Sequence, residues 1–396
     1  MDFSLNEEQR GWQLKARKFA HEEIQPMALQ RDQISDPRET WDWEIIRKGS
    51  QLGFRTLAVA REWGGQGVDY VTQALVMAEL AKADSAIAKA FSQNWKWGHL
   101  ISAVCNDEQK ERFLKPFMAD DTFVMGRGIT EPNAGCDNRI PPKDAPKSGL
   151  RLRAERQGGE WILNGEKCFI ANGGVGKLFF VDARTNPDVP VRQGTTMFIV
   201  PADTPGFRFG KTYNKSGWRF YQNAELIFED ARVPHANIVG EVNGGVMKGS
   251  EETTRGGLFG DLELAAIALG LCDAACESAM QHAKTARQGG NPLVEQQLIQ
   301  LKVHRMYMLT GALRAYVMQI AWEHDQKLYT TNTGLAMNYS SDVVQEVTRL
   351  NLEVHGGAPL MAAGADKLAR DAVIWTHLAG DSVQRMRVFR NLVKTP

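Results

Sequence analysis

Apolar positions recur along this chain with two different periods, and the change of period divides it into three stretches. From Leu5 to about Asp120 the spacing is helical, with Trp12, Leu14, Ala16 and Phe19 following the polar opening Glu7-Glu8-Gln9. Asp36-Pro37 breaks the run, Trp41 to Leu52 resumes it, and a glycine-rich turn from Glu62 to Gly67 precedes a helix over Tyr70 to Ala83. Helical runs continue to Phe117. Between about Thr122 and Pro234 the apolar runs are short and β-rich: Leu150 to Ala154, Trp161 to Asn164, Leu178 to Ala183, Thr195 to Val200 and Ala224 to Phe228. Asn164-Gly165, lying between two apolar runs, predicts a hairpin turn. After Asn243-Gly244-Gly245 the helical period returns over Leu262 to Met280, Leu298 to Glu323 and Ser341 to Leu352, long enough to form a bundle. The predicted class is α+β: an N-terminal helical domain over 1–121, a middle β-sandwich or barrel over 122–235, and a C-terminal four-helix bundle over 236–396.

Composition narrows the function more than the fold. The 396 residues are 43% hydrophobic and 24% charged, which is globular usage, and Lys plus Arg balance Asp plus Glu at 47 each. A net charge of zero leaves no footprint for nucleic acid or an acidic membrane. Five scattered cysteines, Cys105, Cys136, Cys168, Cys272 and Cys276, argue for a reducing compartment. Cys272 and Cys276 stand one helical turn apart without a second ligand pair nearby, which favours core packing over a metal site. The opening MDFSLNEEQR has acids where a signal peptide needs basic residues. The longest apolar segment, from Leu264, is interrupted by Asp273 and too short to span a bilayer. The expectation is a cytoplasmic protein without membrane insertion.

The common catalytic motifs are missing. Asn172-Gly173-Gly174-Val175-Gly176-Lys177 lacks the leading glycine of a phosphate loop, and Leu178 stands where a Mg-binding hydroxyl is needed. No G-x-G-x-x-G opens a strand-to-helix unit, and neither H-E-x-x-H nor G-x-S-x-G occurs.

Three segments carry a resemblance instead. Ile129-Thr130-Glu131-Pro132-Asn133-Ala134-Gly135-Cys136-Asp137 resembles a TEPGAGSD signature, and Leu163-Asn164-Gly165-Glu166-Lys167-Cys168-Phe169-Ile170-Ala171-Asn172-Gly173 resembles NGEKxWITNG. His355-Gly356-Gly357 followed by Arg370-Asp371-Ala372 resembles an HGG…RDA pattern. Both the order and the helix–strand–helix texture are similar to the acyl-CoA dehydrogenase family. The resemblance implies FAD as cofactor, an acyl-CoA thioester as substrate, an electron-transfer flavoprotein or similar acceptor, and a homo-oligomer or a hetero-oligomer with a paralogue. A flat flavin ring needs close main-chain approach and an aromatic wall. The family pattern places Ile129, Thr130, Gly135, Cys136, Phe169, Ile170, Ala171, Arg287, Gln297, Glu353, Gly357 and Asp381 at the flavin, with Cys136 also at the thioester.

The family's catalytic carboxylate is the weak point. Counting on from Arg370-Asp371-Ala372, its usual place holds Ala379, followed by Gly380-Asp381-Ser382. A minority of the family carries the base on the first helix of the C-terminal bundle, where Thr254-Arg255 or Gly260-Asp261 aligns. Asp261 is then the candidate base and Arg255 the arginine facing the substrate. The other reading of Asp261 is a helix N-cap. His377 is a further titratable candidate. Ala171 replaces a flavin-binding threonine, Gly289 replaces a phenylalanine, Ala286 stands at an arginine position beside Arg287, and Glu353 replaces a glutamine near a flavin diphosphate, where an acid would repel unless paired. These departures leave three readings: a dehydrogenase with a relocated base, a degenerate partner subunit sharing a flavin site, or a flavin monooxygenase or lyase using Thr376, His377 and Asp381. Trp95-Lys96-Trp97 lies where the family lines the far end of its acyl pocket, so Trp95 is a substrate-binding candidate and the acyl group is expected to be short, polar or ring-containing.

Overall fold

The structure is a computed structural model, and it describes residues 4–135, 149–191, 193–244, 261–328, 332–361, 364–378 and 380–394. Cys136, Arg255 and Ala379 lie outside the described residues.

Helices α1 (Glu7–Phe19), α2 (Gln25–Asp32), α3 (Trp43–Gln51), α4 (Tyr70–Ala83), α5 (Ser85–Val104), α6 (Asp107–Gln109) and α7 (Lys115–Ala119) form the first unit. Their starts follow the polar residues before each apolar run. Asn6 and Gln9 exchange side-chain-to-backbone hydrogen bonds at 2.9 Å in a capping box, and Asp69 and Asp84 cap α4 and α5. Both α4 and α5 are buried on nearly all sides, enclosed by neighbouring elements, and their polar side chains are buried with them.

The strands are β1 (Met125–Gly128), β2 (Arg153–Gln157), β3 (Glu160–Ala171), β4 (Leu178–Arg184), β5 (Thr195–Pro201), β6 (Phe207–Thr212), β7 (Asn223–Pro234) and β8 (Ile238–Val239). They form one sheet in the order β6-β7-β3-β2-β4-β5-β8, with β1 added in parallel to the first half of β4. Two core layers flank it. Leu163, Ile170, Val181, Phe198 and Leu226 fill one, and Phe180, Met197 and Ile199 join Trp97 and Phe117 in the other. The second layer glues the sheet to α5.

One turn expected from the sequence is elsewhere. Asn164-Gly165 is not a hairpin: β3 runs straight through it, with a register shift against β7 between Leu163 and Gly165. Gly165 sits at φ 133°, and the Asn164 carboxamide exchanges bonds of 3.0 and 2.8 Å with Asp230 across the bulge. The hairpin before β3 is made by Gly158-Gly159, which lets Gln157 pair with Glu160. A bulge and a tight hairpin both need left-handed backbone, so the dipeptide alone did not separate them.

The last unit contains α8 (Asp261–Thr285), a small β9–β10 hairpin (Arg287–Gln288, Asn291–Pro292), α9 (Gln297–Asp325), α10 (Asn332–His355) and the short helices α11 (Ala365–Ala372), α12 (Trp375–Leu378) and α13 (Ser382–Lys394). The C-terminal helices share one apolar core with α1, α4 and α5. Among the described residues no helix is long and apolar enough to cross a membrane.

The Arg370-Asp371-Ala372 segment holds the three units together. Lys367 donates to Asp84 at 2.9 Å and to Asp371 at 2.6 Å, all three buried, and the other Asp371 oxygen accepts the Trp218 amide at 2.7 Å. Arg370 reaches Asp32 of α2 at 2.5 Å and the Ser216 carbonyl at 2.6 Å. The two carboxylates hold the Lys367 ammonium in its charged form despite its burial.

Candidate active site

The first two signature segments meet through a buried charge pair. Lys167 has no exposed surface, and its Nζ lies 2.7 Å from Glu131 Oε1 and 3.1 Å from the Ile129 carbonyl. Glu131 also accepts the Arg151 and Leu152 amides at 2.6 and 3.0 Å. Burial pushes the lysine pKa down, and Glu131 opposes that shift. The Cys168 amide adds a 2.8 Å bond to the Thr130 carbonyl. Residues 129–130 are thereby fixed beside the outer half of β3.

Phe169 stands on that half. The register of β3 against β7 slips between Lys167 and Ile170, and Phe169 occupies the slip at φ 58°. A left-handed non-glycine residue with a bulky ring is unusual and points to a positional requirement. Its ring is 59% exposed, 4.6 Å from the Tyr213 ring, while its carbonyl accepts from Asn223 Nδ2 at 2.8 Å. Ile170 turns into the sheet core, so only its main chain faces the shelf. At Ala171 the strands come so close that a Cβ on Gly126 would stand 2.3 Å from the Ala171 carbonyl oxygen. A Cβ built on Gly135 meets none of the described residues within 4 Å. Ile129, Thr130, Phe169, Ile170 and Ala171 thus form one shelf with an upright aromatic ring.

A second group occupies the α8–α10 end. Arg287 is exposed on the β9–β10 hairpin, whose turn is Gly289 at φ 61° and Gly290 at φ 87°. Two consecutive positive φ values explain glycine where the resemblance has phenylalanine. Gln297 is exposed in the first turn of α9, and Gly357 is exposed after α10. Glu353 is not a bare acid: Lys302 lies 2.9 Å away, Arg349 bonds the other oxygen, and the Lys302 bond holds its pKa below the usual carboxylate value. The repulsion expected beside a diphosphate is answered by two cations for one acid.

Residues 6–121, 126–231 and 259–393 match, in turn, the N-terminal, middle and C-terminal domains of acyl-CoA dehydrogenase. The chain belongs to the acyl-CoA dehydrogenase family. It is 31% identical over 398 residues to the probable acyl-CoA dehydrogenase YngJ of Bacillus subtilis, covering all of both chains. It is 32% identical over 370 residues to the short-chain specific acyl-CoA dehydrogenase of Megasphaera elsdenii, covering 90% of each. Identity to the acryloyl-CoA reductase (NADH) of Anaerotignum propionicum is 31% over 397 residues, covering 100% of this chain and 96% of the other. The solved butyryl-CoA dehydrogenase of Megasphaera elsdenii superposes with a TM-score of 0.90 at 30% identity over the full length of both chains. As a member of this family the chain is a flavin oxidoreductase, and its fold is the acyl-CoA dehydrogenase fold.

Asp261 and Asp381 each have defined contacts. Asp261 opens α8, and both of its carboxylate oxygens face Arg387 of α13, at 2.9 and 3.2 Å. That is the geometry of a tether between two helices. Asp381 accepts the Gln384 amide at 3.0 Å and caps α13. Thr376 bonds back to the Val373 carbonyl at 2.8 Å, and His377 is exposed on α12. Trp95 is fully buried, with its indole N–H on the Phe54 carbonyl, inside the helical core. The pattern along the sequence did not expose the Glu131–Lys167 pair. Strand alternation could not have shown it, because Lys167 and Cys168 are both buried where the register of β3 slips. Trp95-Lys96-Trp97 was singled out from the sequence, but the ion pairs near it, Lys89 with Glu263 and Arg127 with Asp182, join distant elements and were not.

Proposed function

We propose that this chain oxidises an acyl-CoA thioester across its α,β bond, or reduces the unsaturated thioester by the reverse exchange, with FAD as the redox group. The observation that carries the reading is the shelf: Thr130 and Ile129 pinned by the buried Glu131–Lys167 pair next to an exposed phenylalanine ring. Those residues fit a flavin. The ring offers a wall at π-stacking reach, the small residues Ala171 and Gly126 leave the surface low, and main-chain groups line the edge. Bound there, FAD supplies the N5 position that exchanges hydride with the β carbon.

The protein's own part is to hold and orient. Phe169 would support one face of the ring, residues 129–130 and 170–171 would meet its edge, and the acyl chain would lie between the shelf and α5. Arg287, Gln297, Glu353 and Gly357 would serve the diphosphate of a second copy, so the active form is an oligomer. Reducing equivalents pass to an electron-transfer flavoprotein or similar acceptor, a reading supported by the likeness to a chain solved in work on the electron transferring flavoprotein of Acidaminococcus fermentans, with TM-score 0.90 and 32% identity over the full length of both chains. With Asp261 engaged by Arg387, the α-proton transfer needs another group.

The test is direct. The purified chain should be yellow with bound FAD, and butyryl-CoA or a related thioester should bleach it without oxygen. A colourless chain that acquires flavin only with a paralogue would sink this reading in favour of a partner subunit.

A further inference from the structure

Helix α5 carries Lys89, Ser92 and Lys96 along one face, at intervals of three and four residues. The first two are spent on Glu263 of α8, which is buried. Lys89 Nζ lies 2.7 Å from Glu263 Oε1, and the Ser92 hydroxyl bonds the same carboxylate. One turn further on, Lys96 runs past this pair. Among the described residues its ammonium has no hydrogen-bond or ion-pair partner. Its contact is the face of Trp97, whose ring centroid is 5.2 Å away and which stacks on Phe180 at 4.8 Å. Arg127 stands 5.5 Å from the same indole and is already committed to buried Asp182 at 2.8 Å.

Among the described residues the cations here outnumber the carboxylates. Around this junction stand four cations, Lys89, Lys96, Arg127 and Arg387, and three carboxylates, Glu263, Asp182 and Asp261, each with a partner. The surplus is Lys96. Burial and the nearby Arg127 push its pKa down to about 8. Lys96 is half-buried, and its ammonium brings three donors that no described protein group engages. The place is also tied to the shelf: Asn94 Oδ1, two residues before Lys96, accepts the Met125 amide at 2.8 Å, and β1 runs from there into Ile129-Thr130.

We infer that the acyl group accepted by this chain carries a carboxylate at its far end, and that Lys96 binds it. The inference rests on the proposed acyl-CoA chemistry and names its substrate class. A single carboxylate neutralises the surplus charge and supplies acceptors to the ammonium. Trp97, stacked on Phe180, forms the apolar wall beside the Lys96 ammonium.

The experiment uses the FAD-loaded protein and matched thioesters: glutaryl-CoA against pentanoyl-CoA, and adipyl-CoA against hexanoyl-CoA. Dissociation constants are measured by calorimetry and flavin bleaching is followed in parallel. The dicarboxylyl thioester should bind at least about tenfold more tightly than its neutral partner, the scale of one charge-assisted hydrogen bond. In Lys96→Met that ratio should fall to about one, and in Lys96→Arg it should persist, which separates loss of charge from loss of fold. Tight binding of the neutral thioesters with no carboxylate preference, or a preference untouched by Lys96→Met, overturns this inference and leaves the proposed function standing. Failure to bind any of the four overturns both.

Discussion

Lys167 Nζ lies 2.7 Å from Glu131 Oε1 in a place with no solvent, and the two residues belong to different signature segments of the family. The pair fixes where residues 129–130 sit against β3. Lys167→Met leaves Glu131 buried without its counter-charge and should cost about 3–5 kcal/mol of stability. Adding Glu131→Gln should recover part of that cost. Urea denaturation of the single and double variants measures both, and a single variant within about 0.5 kcal/mol of the parent would contradict the assignment.

Phe169 is exposed, so its ring contributes little to folding. Phe169→Ala should leave urea stability within about 0.5 kcal/mol of the parent. It should nevertheless weaken FAD retention about tenfold, the scale of one aromatic stacking contact. Flavin released per protein during dialysis gives the answer. Undiminished retention would remove Phe169 from the flavin wall.

Asp261 tests the base assignment. Because its carboxylate and the Arg387 guanidinium are both about a third exposed, at 29% and 34%, the pair contributes on the order of 0.5–1 kcal/mol. Asp261→Asn is expected to lower thermal stability slightly and to leave the rate of anaerobic bleaching by an acyl-CoA within about threefold. A loss of about a hundredfold or more, the scale of general-base catalysis, would restore Asp261 as the proton acceptor.

Asp325 gives a pH signature. It caps α4 by accepting the Tyr70 and Val71 amides at 2.7 and 3.2 Å, yet burial, with Asp69 nearby, pushes its pKa up to about 6. The folded value lies above the unfolded value of about 3.9. Its contribution to stability is therefore full below about pH 4 and lost as pH rises through about 6. Asp325→Asn should flatten this part of the profile. Denaturation curves between pH 4.5 and 7.5 that stay parallel for parent and variant would refute the assignment.

What could be read from sequence was what is contiguous. Helix–strand–helix order and the signature segments needed only local pattern. Asn164-Gly165 was misplaced because a bulge and a hairpin demand the same backbone, and only strand pairing separates them. Glu353 looked repulsive because Lys302 comes from the neighbouring helix. The Asp261–Arg387 pair was not legible because its two residues are 126 positions apart. Lys96 is isolated only once α5, α8 and β1 are placed. Charge compensation in this chain is a property of the packed elements.

The clamp around Asp371 has a thermodynamic consequence. Its hydrogen bonds and ion pairs run to α2, to the start of α5 and to the segment leading into β7, so parting the first and last units strands buried charge in both, and opening the middle one takes the Trp218 amide from Asp371. The three family segments should accordingly melt together, in one calorimetric transition, as a single cooperative body.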